Sequence, residues 1–122
     1  MIEHIGLHVG DAAKSTAFYK EALAPLGYKV IKEYPEWNVV GMGQEMPNFW
    51  ISPKEGAAGS VHIAFGAKTR AEVDAFYAAA IKAGGKDNGK PGVRTDYSPT
   101  YYAAFVYDLD GNNIEVVCHA EK

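Results

Sequence analysis

Cysteine is nearly missing from this chain of 122 residues: Cys118 stands alone, so no disulfide can close within it, and a reducing compartment suits it. No apolar run approaches the roughly 20 residues that a bilayer span needs. The opening Met1-Ile2-Glu3-His4 lacks the basic and apolar stretches of a secretion signal, so the expectation is a cytoplasmic protein without membrane contact. Basic residues are also in short supply, with 12 Lys and Arg against 15 Asp and Glu. The net charge of -3 offers no stripe for a phosphate backbone, and nucleic acid is set aside as a partner. Low-complexity tracts are lacking too. What is present is 48% hydrophobic and 22% charged, a globular balance, in a chain too short to divide into separately stable cores.

The chain repeats itself. A shift of 58 positions lays His4-Ile5 on His62-Ile63, Ala17-Phe18-Tyr19 on Ala75-Phe76-Tyr77, Ala22 on Ala80 and Gly27 on Gly85 without a gap. Each half opens with an alternating strand. Ile5, Leu7 and Val9 face one way and His4, Gly6 and His8 the other, as do Val61, Ile63 and Phe65 against His62, Ala64 and Gly66. A helix follows in each half, capped by Asp11 or by Thr69, the latter in a capping box that ends on Glu72. Apolar stripes of Phe18, Ala22 and Leu23, and of Val73, Phe76, Tyr77, Ala80 and Ile81, turn to the core, and Gly27 and Gly84-Gly85 stop the helices. Three strands complete each half, about 28–34, 37–43 and 48–52, then about 86–89, 101–107 and 113–118, with a long loop over 90–100 and a link at 56–60. The expected architecture is α+β: one domain of two tandem βαβββ modules, 1–55 and 60–119, forming a curved mixed sheet around a pocket.

The face turned away from each helix carries the candidate chemistry. Duplication places His4 and His62 at equivalent points, and strand parity lets Glu115 reach the same cleft. Two histidines and a carboxylate form a facial triad suited to Fe, Mn, Zn or Ni, where the ion would polarise substrate oxygens or acidify bound water. A lone strand histidine is more often structural, and a metal-free polar pocket is the competing reading. His8 shares the face of His4 and is expected to line the pocket; His119 is expected to be solvated. Trp50, with Tyr97, Tyr101 and Tyr102, is either core or a flat wall for a planar ligand. Arg94, in the long loop, is either surface charge or a clamp for a carboxylate or phosphate.

Three segments together, Ile2-Glu3-His4-Ile5-Gly6-Leu7 with Phe18-Tyr19, Val61-His62-Ile63-Ala64-Phe65, and Asp108-Leu109-Asp110-Gly111-Asn112-Asn113-Ile114-Glu115, resemble the vicinal oxygen chelate superfamily over essentially the whole chain. That superfamily includes glyoxalase I, bleomycin-resistance proteins and extradiol dioxygenases. The resemblance implies a glyoxalase-like fold, metal ligands at His4, His62 and Glu115, a catalytic role for Glu115, and a symmetric homodimer. It also implies where the pattern breaks: superposing Phe49-Trp50-Ile51 on Ile114-Glu115-Val116 puts Trp50 at the fourth ligand position, which disfavours lactoylglutathione lyase and leaves lyase, isomerase or dioxygenase chemistry on a small substrate. The alternatives are a non-catalytic, resistance-type protein that sequesters a planar compound and, more weakly, a relic fold serving as a dimer partner.

Overall fold

The computed structural model describes residues 1–121. Two mixed four-stranded sheets lie in sequence order, each with one helix between its first and second strands. Module one contains β1 (Ile5–Val9), α1 (Ala12–Ala22), β2 (Lys29–Tyr34), β3 (Val39–Gly43) and β4 (Phe49–Pro53). Module two contains β5 (His62–Gly66), α2 (Arg70–Lys82), β6 (Lys86–Val93), β7 (Tyr102–Tyr107) and β8 (Asn113–Cys118). The strand orders, β1-β4-β3-β2 and β5-β8-β7-β6, are the same, with the first and last strands of each module parallel. The α+β architecture of tandem βαβββ modules is thus the one that the internal repeat predicts.

Local chemistry explains the helix boundaries. Asp11 accepts the Lys14 amide at 3.0 Å and Thr69 accepts that of Glu72 at 3.1 Å, each satisfying a first-turn donor. Glu72 reaches one residue beyond the expected box, to the Lys68 amide at 2.8 Å. After α1, a 3-10 turn over Ala24–Leu26 ends on Gly27 at φ 81°, a left-handed stop that glycine adopts without steric cost.

Both helix-side faces feed one core. Leu7, Phe18, Tyr19, Phe49 and Ile51 of module one are buried in the same cluster as Phe65, Val73, Phe76, Ile114 and Val116 of module two. Edge-to-face rings join the modules: Phe49 meets Phe65 at 5.3 Å and Tyr28 meets Phe65 at 5.5 Å. Of the predicted α2 stripe, Tyr77 packs half-buried against this core, while Ile81 is 37% exposed. The sheet covers less of the last turn than helical spacing alone implies.

One boundary moves substantially. The segment expected to begin a loop at Lys90 continues as β6 to Val93, in spite of Pro91. β6 is an edge strand with two register shifts against β7, and an edge with bulges tolerates a residue that donates no hydrogen bond. Conversely, Trp37, expected to begin a strand, ends a 3-10 turn over Pro35–Trp37 before β3. No helix among the described residues is long and apolar enough to cross a membrane.

Candidate functional site

Alternation along β8 decides what reaches the open face. Ile114, Val116 and Cys118 enter the core, so Asn113, Glu115 and Val117 point the other way, opposite Tyr107, Phe105 and Ala103 of β7. β5 brings His62, Ala64 and Gly66 to the same face. Glu115 is opposite Ala64, and this small neighbour lets the His62 ring reach across diagonally. Nε2 of His62 then lies 2.9 Å from Oε1 of Glu115. The hydroxyl of Tyr101 donates to Oε2 of the same carboxylate. Edge-on contacts hold the Tyr101 ring, from Tyr97 at 4.9 Å and from His119 at 5.3 Å.

The electrostatics are unusual for a carboxylate. Glu115 is 2% exposed, and none of the ion pairs among the described residues gives it a lysine or arginine. Its hydrogen-bond partners are one imidazole and one phenol. The bond to Glu115, then burial, then the carboxylate's charge push the Tyr101 hydroxyl up to about 12.

The donor set can be tested against a metal ion. Two donors each about 2.1 Å from an ion, at a right angle to one another, stand about 3.0 Å apart. The separation of 2.9 Å between His62 and Glu115 matches that requirement, and Tyr101 bonds Oε2, so Oε1 is the oxygen turned to His62. These residues therefore fit a divalent ion as two of the ligands it needs.

The third expected ligand does not join them within one chain. His4 lines a cleft of about 570 Å³ between β1 and β5 together with His62 but not Glu115, and its ring contacts the neighbouring Glu3 carboxylate and is 57% exposed. No three His, Cys, Asp or Glu side chains among the described residues converge as a metal group. The triad expected from parity is thus reduced to a pair in the single chain. Pseudo-symmetry makes His4 and His62 equivalent, but equivalence does not make them neighbours.

The remaining candidates divide by face. Trp50 pairs with Gly6 as Glu115 pairs with Ala64, so it occupies the position equivalent to that carboxylate. It lies on the open face of module one, stacked on Tyr34 at 6.1 Å, and Tyr34 in turn touches Trp37 at 5.5 Å. His8, on that same face, has Nδ1 3.4 Å from the Ser52 hydroxyl. Arg94 lies over the Phe105 ring at 5.5 Å, beside the pair, and Tyr97 stands exposed next to Tyr101. Tyr102 turns to the helix side, where its hydroxyl donates to Asp74 at 2.6 Å under the Arg70 guanidinium. Tyr102 thus lies on the face opposite the His62–Glu115 pair. His119 is exposed as expected, with its ring against Tyr101. Phe105, Asn88 and Asn113 were missed, although the parity of β7 already places Phe105 across from Glu115.

Comparison with known proteins agrees with the fold. The family model described as Glyoxalase/Bleomycin resistance protein/Dioxygenase superfamily matches residues 1–116. The chain belongs to that superfamily. A glyoxalase/bleomycin resistance protein from Albidiferax ferrireducens is similar at 25% identity and TM-score 0.76, over 95% of this chain and 96% of that one. A family enzyme from Burkholderia phytofirmans shares the fold at 16% identity and TM-score 0.75, over 98% of both chains. A glyoxalase I mutant from Zea mays shares it at 21% identity and TM-score 0.72, over 97% of this chain but 46% of that one. No curated protein matches the chain with significance.

Proposed function

We propose that this superfamily member is a divalent-metal-dependent enzyme acting on a small substrate through adjacent oxygens. In this reading it works as a homodimer, with the ion held by His62 and Glu115 of one protomer and by the partner's His4. The observation that carries it is the 2.9 Å separation of His62 Nε2 and Glu115 Oε1 around a buried carboxylate that has no permanent cation. An ion held there would supply Lewis-acid polarisation of the substrate oxygens. The chain supplies the rest. Tyr101 holds Oε2 and so fixes the orientation of Glu115, which would take or return the substrate's proton. Phe105 covers the pair from the β7 side. Trp50, where a fourth donor would stand, argues against lactoylglutathione lyase and leaves another lyase or a dioxygenase reaction.

Chelator-treated protein titrated with Zn²⁺, Ni²⁺, Mn²⁺ and Fe²⁺ should bind one ion per protomer, and His62→Ala or Glu115→Gln should abolish that binding. Mixed dimers of His4→Ala with His62→Ala should regain one intact site, because one combination keeps all three ligands. Lack of binding by the unmodified protein would overturn the metal reading; lack of recovery on mixing would overturn the shared site. The stacked Tyr34, Trp37 and Trp50 favour a second reading, a non-catalytic binder of planar compounds. It would be recognised by stoichiometric binding that neither chelation nor Glu115→Gln alters.

A further inference from the structure

Next to the His62–Glu115 pair lies a second cleft of about 650 Å³, whose wall includes Asn88, Lys90, Arg94, Tyr97, Phe105 and Asn113. The arginine is held in place. Its Nη2 donates to the Lys90 carbonyl at 2.5 Å and its guanidinium stacks over Phe105 at 5.5 Å. Glycines clear the space it occupies: a Cβ at Gly89 would stand 3.1 Å from Nη2, and one at Gly92 would stand 3.4 Å from Nη1. Yet Arg94 is in none of the ion pairs among the described residues, although it is half-buried. Asp87 also lines the cleft, but its carboxylate is engaged elsewhere, accepting from the Tyr77 hydroxyl at 3.0 Å and the Gly89 amide at 2.9 Å. A chain of net charge -3 thus presents a fixed, unpaired cation, with Lys90 beside it, one aromatic ring away from His62, whose own ring lies 6.4 Å from Phe105.

We infer that the substrate is an acid whose distal carboxylate is bound by Arg94 while its reacting oxygens lie at His62 and Glu115, with the connecting atoms resting on Phe105. The guanidinium fork matches a planar carboxylate in two parallel hydrogen bonds. The same fork can hold a phosphate, but a planar carboxylate uses both parallel N–H groups without the further backbone donors that phosphate sites commonly add. The assignment rests on the placement of the reacting end proposed above, so its test separates the two ends.

The probes are 2-oxoglutarate and 2-oxopentanoate, which have the same 2-oxo acid end and the same five-carbon chain and differ in the distal carboxylate. Calorimetric titration of the Zn²⁺-treated protein should give roughly tenfold or more tighter binding of 2-oxoglutarate, the range of a charge-assisted hydrogen bond. Arg94→Gln should erase that preference and leave 2-oxopentanoate unchanged. Glu115→Gln should weaken both probes alike, which reports on the reacting end alone. Equal affinity for the two acids, no measurable binding of either, or an equal loss of both in Arg94→Gln would overturn the inference. An unchanged unfolding midpoint for Arg94→Gln would establish that the lost preference is not lost structure.

Discussion

At the scale of single residues, the pair Tyr101–Glu115 makes a prediction with a definite sign. The Tyr101 hydroxyl is raised from its ordinary 10.0 to about 12, first by its bond to Glu115 and then by burial. A group whose folded-state value is raised favours its protonated form in the native state, so the pair's stabilisation is complete below pH 10 and disappears between about 10 and about 12. Ultraviolet titrations of the chelator-treated parent and of Glu115→Gln should differ by one late-ionising phenol, since Tyr19, Tyr77 and Tyr102 are raised by other groups and stay so. An unchanged number of late phenols in Glu115→Gln would mean that burial alone raises Tyr101. Tyr19 is a different case: it is fully buried and its value is raised chiefly by that burial, with Asp108 adding to it. Its hydroxyl therefore stays a donor throughout any accessible pH.

Among the elements, the packing of β3 under β4 is most sharply testable at Gly41. A Cβ there would come within 2.8 Å of two ring atoms of Trp50 and 2.9 Å of Pro47. Gly41→Ala should therefore push the indole off Tyr34 and cost about 1–3 kcal/mol in urea unfolding followed by tryptophan fluorescence. Gly6→Ala, on the same face with nothing within 4 Å of its Cβ, should stay within about 0.5 kcal/mol of the parent. A similar cost for both would remove Trp50 as the cause. The elements also mark what was legible beforehand. Period-two alternation and the 58-residue repeat carried the fold and put Glu115, His62 and Trp50 on the right faces, because parity and duplication are properties of sequence. The same parity could have separated Tyr101 from Tyr102. The length of β6 was hidden, since Gly89, Pro91 and Gly92 read as breakers until the strand is known to be an edge. The separation of His4 from His62 was hidden too, because it depends on how one module is turned against the other, which no single element encodes.

For the whole molecule, the joint between modules is polar as well as apolar, and it sits at the turn between β7 and β8. Asp108, 5% exposed, accepts from the Tyr19 hydroxyl of α1, from the Asp110 amide at 2.9 Å, and from the Asn112 amide and side chain at 2.8 and 2.9 Å. Asp110 reaches back to the Gly10 amide at 3.1 Å and the Ser15 hydroxyl at 3.4 Å, while Asn112 accepts from Val61 at 3.1 Å. One five-residue turn therefore ties the start of α1 to the start of β5. Removing the carboxylate strands several buried donors at once, and each buried, unsatisfied group costs about 1–3 kcal/mol. Asp108→Ala should accordingly lose on the order of 3 kcal/mol or more, and Tyr19→Phe about 1–2 kcal/mol, since the remaining donors keep Asp108 satisfied. Because the core is continuous across both modules, the loss should fall on both. Amide exchange of Asp108→Ala should show β1 and β8 losing protection together, in a single unfolding transition. Loosening confined to β7 and β8, with β1 and α1 protected as before, would mean that the modules fold as separate units and that this turn serves only its own hairpin.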